Sequence, residues 1–218
     1  MNYGKKSTAK KRTALISRSS MMGKRARVSF IRVLFVSLIA LCIAVTCLGV
    51  GSFRGVIDTA PDVDDIDIMP LGYATFLYDD AGNQIRKLAA PDSNRLPVTL
   101  EQIPVDLQHA VVAIEDERFY EHNGIDVRGI ARAGMKAITT GNFSEGASTI
   151  TQQLLKNNVF TDWTNESTQL ERFTRKFQEQ YLAVQVEKKY DKSVILENYL
   201  NTINLGAGSY GVQAASKK

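Results

Sequence analysis

The feature that most constrains this chain is the uncharged run at residues 33–51, VLFVSLIALCIAVTCLGVG. As a helix, this stretch would extend about 28 Å, close to the hydrocarbon thickness of a bilayer. Ahead of it, residues 1–32 carry ten Lys or Arg and no Asp or Glu. That flank predicts a single transmembrane helix with a cytoplasmic N-terminus and the remaining chain on the outer face. The competing reading is a cleaved signal peptide. Such a peptide has a shorter apolar region and a much shorter basic segment, and no Ala-x-Ala site follows here. Neither Cys42 nor Cys47 follows the small residue that a lipoprotein signal needs.

Past residue 32 there are 17 basic and 23 acidic residues, so a net charge of +10 gives way to −6. The overall +4 conceals this asymmetry and is no nucleic-acid signal. A basic tail beside an apolar run instead suits an anionic inner leaflet. Both cysteines lie inside the run, leaving the rest without a disulfide framework or thiolate metal site.

Four regions follow: a basic tail at 1–32, the transmembrane helix at 33–51, a linker and β-hairpin at 52–95, and a mainly α-helical module at 96–218. Residues 53–72 read as an acidic linker without a helical stripe. Strand-like runs at 73–78 and 84–88 flank DDAGN, good hairpin chemistry. Residues 91–97 form a second connector between prolines. Helices are expected at 104–119, 126–140, 148–158, 168–190 and 192–201, followed by a glycine-rich turn at 206–211 that no strand precedes, and so no nucleotide fingerprint.

Four constellations carry candidate chemistry. At 110–126, five apolar residues run into Glu115. A carboxyl ending a buried helix is partly desolvated, which suits a general acid or base. The plainer reading is a solvated helix end with Arg118 as ion-pair partner, His122 bonding backbone near Gly124, and His109 structural or exposed. At 146–157, Ser148 is a natural N-cap, and Ser148, Gln152 and Lys156 recur every four residues. Free N–H groups and a lysine two turns on make a phosphate site; a polar helix face is the alternative. At 170–190, Leu170, Phe173, Phe177, Tyr181 and Val184 form a core stripe, with Arg172, Arg175, Lys176 and Glu179 nearly opposite. The cations hold Glu179 ionised and could bind a diphosphate; an ordinary solvated face is the alternative. At 192–201, Ile195, Leu196, Tyr199 and Leu200 supply core contacts, and Glu197 could brace a neighbouring basic helix. Taken singly, each constellation leaves both readings open.

Their order is more specific. Residues 115–124 (EDERFYEHNG), 146–153 (GASTITQQ), 175–179 (RKFQE) and 192–201 (KSVILENYLN) together resemble the glycosyltransferase module of class A penicillin-binding proteins, the family 51 peptidoglycan glycosyltransferases. The resemblance implies a lysozyme-like fold and polymerisation of lipid II, a disaccharide-pentapeptide on an undecaprenyl diphosphate. It implies Glu115 as general base, Asp116 as its support and Glu179 as a second acid on the diphosphate side. It places Lys156, Arg175 and Lys176 on the leaving diphosphate, with or without a divalent Mg or Mn ion that no metal-ligand set of the chain's own calls for. Ser148, Thr149, Gln152, Gln153, Arg132, Glu197 and Asn201 would line or brace the substrate cleft. The implied partners are lipid II, the growing glycan strand, the bacterial cell membrane and other cell-wall synthesis and division proteins, with no nucleic acid.

Two departures matter. The chain ends before the family's last module motif and before any transpeptidase domain, so an incomplete module is expected. A Ser-x-x-Lys match at Ser7 to Lys10 lies in the basic tail and is read as chance. Two other functions stay open: a lysozyme-like hydrolase acting on the same polymer, and a non-catalytic lipid II-binding partner.

Overall fold

The computed structural model describes residues 5–89, 94–141 and 146–218, with side chains from residue 28 onward. The connector expected at 91–97 therefore lies partly outside the described residues. The chain divides into two compact units, residues 1–55 and 56–218.

The first unit belongs to one long helix, α1 (Lys5–Asp58). Within Val28–Asp58 an 18-residue window has a mean hydropathy of 2.8, and none of that window is buried. A core helix of a water-soluble protein would be covered, so length, composition and exposure together fit a bilayer span. The helix runs past residue 51, so the expected linker starts later.

That linker is also less free than its composition suggests. Ile66, Ile68 and Pro70 are buried while Asp65, Asp67 and Met69 are exposed, the period-two alternation of an extended segment lying on a core. Asn158 Nδ2 donates to the Ile68 carbonyl at 2.7 Å and secures it.

The hairpin forms as expected, with β1 (Thr75–Tyr78) antiparallel to β2 (Gln84–Leu88). Asp79 closes its turn, accepting from the Asn83 backbone at 2.7 Å and from Asn83 Nδ2 at 2.9 Å. Those bonds from Asn83 hold the Asp79 carboxyl below its ordinary pKa.

The helical part comprises α2 (Val105–Glu115), α3 (Val127–Thr140), α4 (Ile150–Asn158), α5 (Gln169–Lys189), α6 (Lys192–Thr202) and the short α7 (Val212–Ser216). This is the mainly α, lysozyme-like architecture expected. The centre is α4, packed against both α5 and α6. Ile150, Leu154 and Leu155 are completely buried there, each contributing about 1.5–3 kcal/mol. Leu182 and Val186 of α5 and Ile195, Leu196 and Leu200 of α6 meet them in one core. The start of α5 is a capping box: Glu171 accepts from the Thr168 backbone at 3.1 Å and its own N–H donates to Thr168 Oγ1 at 3.2 Å.

The expected core stripe on α5 is a correction. Leu170, Phe173 and Phe177 are 76%, 62% and 43% exposed, and Tyr181 and Val184 are half-buried. The inward face instead carries Gln178, Glu179, Leu182, Ala183 and Val186. A buried polar pair broke the hydrophobic signal of the true core face.

The glycine-rich segment is a tight turn, as expected, with Gly206, Gly208 and Gly211 at positive φ. Gly124 is the more demanding glycine. It has φ +89°, and a β-carbon there would lie 2.5 Å from the Ala183 carbonyl carbon of α5. Gly124→Ala therefore combines left-handed strain with a backbone clash. It is expected to cost about 3 kcal/mol, read as a lower thermal midpoint by circular dichroism. A midpoint unchanged within error would contradict the close approach.

Candidate active site

Glu115 is the last residue of α2 and Asp116 its C-cap. The chain turns sharply there, and the two carboxylates part company. Glu115 is exposed; Asp116 is buried. Ile114 is 82% exposed and Val112 is the buried residue of α2, so the desolvation expected at Glu115 is absent. Glu115 instead lines an open cleft of about 140 Å³ with Glu117, Arg132, Ser148 and Thr149. Arg132 donates to Glu117 at 2.8 Å within this lining.

Asp116 supports the site by holding its frame together. Its Oδ2 accepts from the Ile150 N–H at 3.0 Å, a donor of the first turn of α4 that has no partner inside the helix. His122 Nε2 lies 2.9 and 3.0 Å from the two carboxylate oxygens. His122 Nδ1 accepts from the Gly124 N–H at 3.2 Å, the backbone role the sequence suggested. Nδ1 is thus the acceptor, which leaves Nε2–H as the donor to Asp116.

Several of the expected cleft residues are bonded within the protein. The N-cap of α4 is Thr149, not Ser148: Thr149 Oγ1 accepts from the Gln152 N–H at 3.3 Å and donates to the Gly124 carbonyl at 2.9 Å. Gln152 is 1% exposed, and its Nε2 donates to the same carbonyl at 3.0 Å. Burial removes it from a substrate surface. Gln153 turns towards Glu115, donating from Nε2 to Oε2 at 2.9 Å. Glu197 and Asn201 brace residues 98–100 rather than a basic helix. Glu197 accepts from the Leu100 N–H at 2.7 Å, and Asn201 exchanges two bonds with Val98 at 3.0 and 2.8 Å.

The basic constellation does converge. Glu179 is completely buried on α5; it is paired with Arg175 and accepts from Lys176 at 2.8 Å. Lys176 Nζ also donates to Ser148 Oγ at 2.7 Å. Ser148 lines the Glu115 cleft, so it joins the acidic and basic halves. Arg175 has a second partner that the sequence did not reveal: Glu166 accepts from its Nε at 2.5 Å and its Nη2 at 3.1 Å. Burial works against the Arg175 charge, but Glu166 and Glu179 outweigh it and raise its pKa. Lys156 sits 3.6 Å over the Trp163 ring. Burial, with the Arg175 charge beside it, lowers the Lys156 pKa. Arg172 reaches the Glu166 carbonyl at 3.5 Å.

The sequence also gave no sign of the Arg118–Asp126 pair, with contacts of 3.2 and 2.6 Å. The partners are eight residues apart across a turn, outside any helical repeat. A β-carbon at Gly129 would lie 2.4 Å from the Asp126 carboxylate, so that glycine makes room for the pair.

Among the described residues no group of three His, Cys, Asp or Glu could hold a metal. Glu166 and Glu179 are already bonded to Arg175 and Lys176.

The Arg118 guanidinium holds the Asp126 carboxyl down at about 2. A depressed carboxyl pKa adds stability that is present above its unfolded value and lost as pH falls through the folded one. Asp126→Asn is therefore expected to cost on the order of 1–2 kcal/mol at neutral pH. Wild-type and variant stabilities from urea unfolding should converge between about pH 4 and pH 2. A constant gap across that range would contradict the pairing.

The transglycosylase family model matches residues 81–218. Penicillin-binding protein 1A of Clostridium perfringens (strain 13 / Type A) is 42% identical over 194 residues, covering 87% of this chain and 27% of that protein. Penicillin-binding protein 1A of Escherichia coli (strain K12) is 41% identical over 183 residues, 81% of this chain and 20% of that protein. Penicillin-binding protein 1F of Bacillus subtilis (strain 168) is 43% identical over 140 residues, 64% and 18% respectively. The chain thus spans roughly a fifth to a quarter of the length of these curated relatives. With the family match covering well over half of its length, the chain belongs to the transglycosylase family.

Proposed function

We propose that this chain is a peptidoglycan glycosyltransferase that polymerises lipid II. The observation that carries this reading is the Ser148 junction. An exposed carboxylate, Glu115, and a cation cluster built on the buried Glu179 meet across one serine. A glycosidase needs carboxylates but no diphosphate site. The cluster of Lys156, Arg175 and Lys176 therefore favours transfer from a diphosphate donor over hydrolysis.

In this mechanism Glu115 takes the proton of the acceptor's 4-hydroxyl. The freed oxygen attacks the anomeric carbon of the growing strand from the face opposite the diphosphate. The new C–O bond is β-1,4. The bond to the diphosphate oxygen breaks with inversion, and its electron pair leaves on undecaprenyl diphosphate. Negative charge grows on that leaving group in the transition state, where prepositioned cations stabilise it most. Lys176, braced between Glu179 and Ser148, is tied to the Glu115 cleft through that serine.

The apolar α1 gives the reaction its place. The basic flank argues for a cytoplasmic N-terminus and for an outer-face location of the residues after the span. Both substrates are lipid-anchored, so attachment to a membrane helix raises their effective concentration at the enzyme. Other cell-wall synthesis and division proteins are the partners such a setting implies.

Glu115→Gln is expected to lower turnover of lipid II by about 10²–10⁴-fold while lipid II binding persists. The assay is polymer formation from labelled lipid II, beside a binding measurement on the same preparation. Near-normal turnover by Glu115→Gln removes the assigned base. Release of short glycans from finished strands, with no polymer from lipid II, makes the protein a hydrolase instead.

A further inference from the structure

Tyr199 of α6 is 3% exposed and belongs to the hydrophobic core. Packing alone does not account for its hydroxyl, which donates to Gln153 Oε1 at 3.0 Å. Gln153 Nε2 in turn donates to Glu115 Oε2 at 2.9 Å. Among the described residues, Gln153 alone bonds the Glu115 carboxylate.

We propose that Tyr199 and Gln153 are positioning residues for the base: their two hydrogen bonds in series fix the Glu115 Oε2 and leave Oε1 to take the acceptor's proton. The proposal rests on the reading of Glu115 as that base.

The direction of each bond carries the argument. A primary amide has one accepting end and one donating end. A buried phenol needs an acceptor for its hydrogen, and here that acceptor is the Gln153 oxygen. Once the oxygen is taken, the amide nitrogen must face Glu115. An N–H donor is satisfied by an ionised oxygen. The flipped amide would set two oxygens face to face unless Glu115 carried a proton, and it would strand the Tyr199 hydrogen. The tyrosine thus selects the amide orientation, and the amide nitrogen holds the Glu115 oxygen it meets. Burial first, then the charges of Glu115 and Asp116, raise the Tyr199 pKa, so the phenol remains a donor.

Other charged or titratable groups surround the same cleft. Arg132 and Arg118 pair with Glu117, Arg118 also with Asp126, and His122 with Asp116; Lys176 approaches through Ser148. They set a background field that a change at Tyr199 leaves in place.

The test uses the full chain and lipid II. Tyr199→Phe keeps the ring and removes only the hydroxyl. It is expected to lower kcat about fivefold with KM within about twofold. Gln153→Ala, at a half-buried position, should lower kcat further, again with KM little changed. Adding Tyr199→Phe to Gln153→Ala should then change nothing further. Additive losses, or a KM raised as far as kcat is lowered, would show that Tyr199 only packs and would overturn the proposal. If Glu115→Gln is inactive but Tyr199→Phe behaves as wild type, this proposal fails alone. If Glu115→Gln stays active, the proposal and the assigned base fall together.

Discussion

The site depends first on one buried carboxylate. Asp116 joins the end of α2, the turn through His122 and the first free N–H of α4. A carboxylate taken out of water must find donors or become destabilising, and these donors come from separate segments. Satisfying Asp116 therefore fixes where α2 stops relative to where α4 starts. That distance separates Glu115 from Ser148, and with it the acidic half of the cleft from the basic half. Gly124 completes the arrangement. Its carbonyl receives Thr149 and Gln152, while its missing side chain lets the loop lie against the backbone of α5.

Around that frame the protein treats its two principal acids in opposite ways. Glu115 is left in an open cleft with one amide on one oxygen. Glu179 is sealed beneath the surface between a guanidinium and an ammonium group. The first has a free oxygen and access to a ligand. The second has neither, and its action passes through the cations it orients. Paired carboxylates with divergent surroundings are how one fold assigns divergent chemical tasks.

Much of this was legible in residues 96–218. The helices lie within a few residues of the expected spans. The order of the four motifs pointed to the family. What was not legible has a common cause: polar residues with internal partners look like surface. Gln178 and Glu179 hid the core face of α5, and the more apolar Leu170, Phe173 and Phe177 drew the stripe to the wrong side. Gln152 suffered the same error on α4. Ser148 and Thr149 are adjacent candidate caps, and only the backbone geometry chooses between them. Glu166 escaped notice because its link to Arg175 crosses a turn, where no period connects the two. Tyr199 was placed in the core correctly, but periodicity says nothing of where a hydroxyl points.

The double pairing of Arg175 has a consequence for the end of a reaction cycle. Glu166 and Glu179 together offset most of the charge on Lys156, Arg175 and Lys176, leaving the five groups with a single net positive charge. Three unmatched cations would grip a diphosphate tightly before and after bond cleavage alike. With two resident carboxylates behind them, the cations remain in place when the anion departs, and no mobile counter-ion has to replace it. On the proposed reading, the internal acids therefore work against product inhibition: they keep the leaving lipid diphosphate from becoming a permanent guest and let the next donor enter a site that is already assembled.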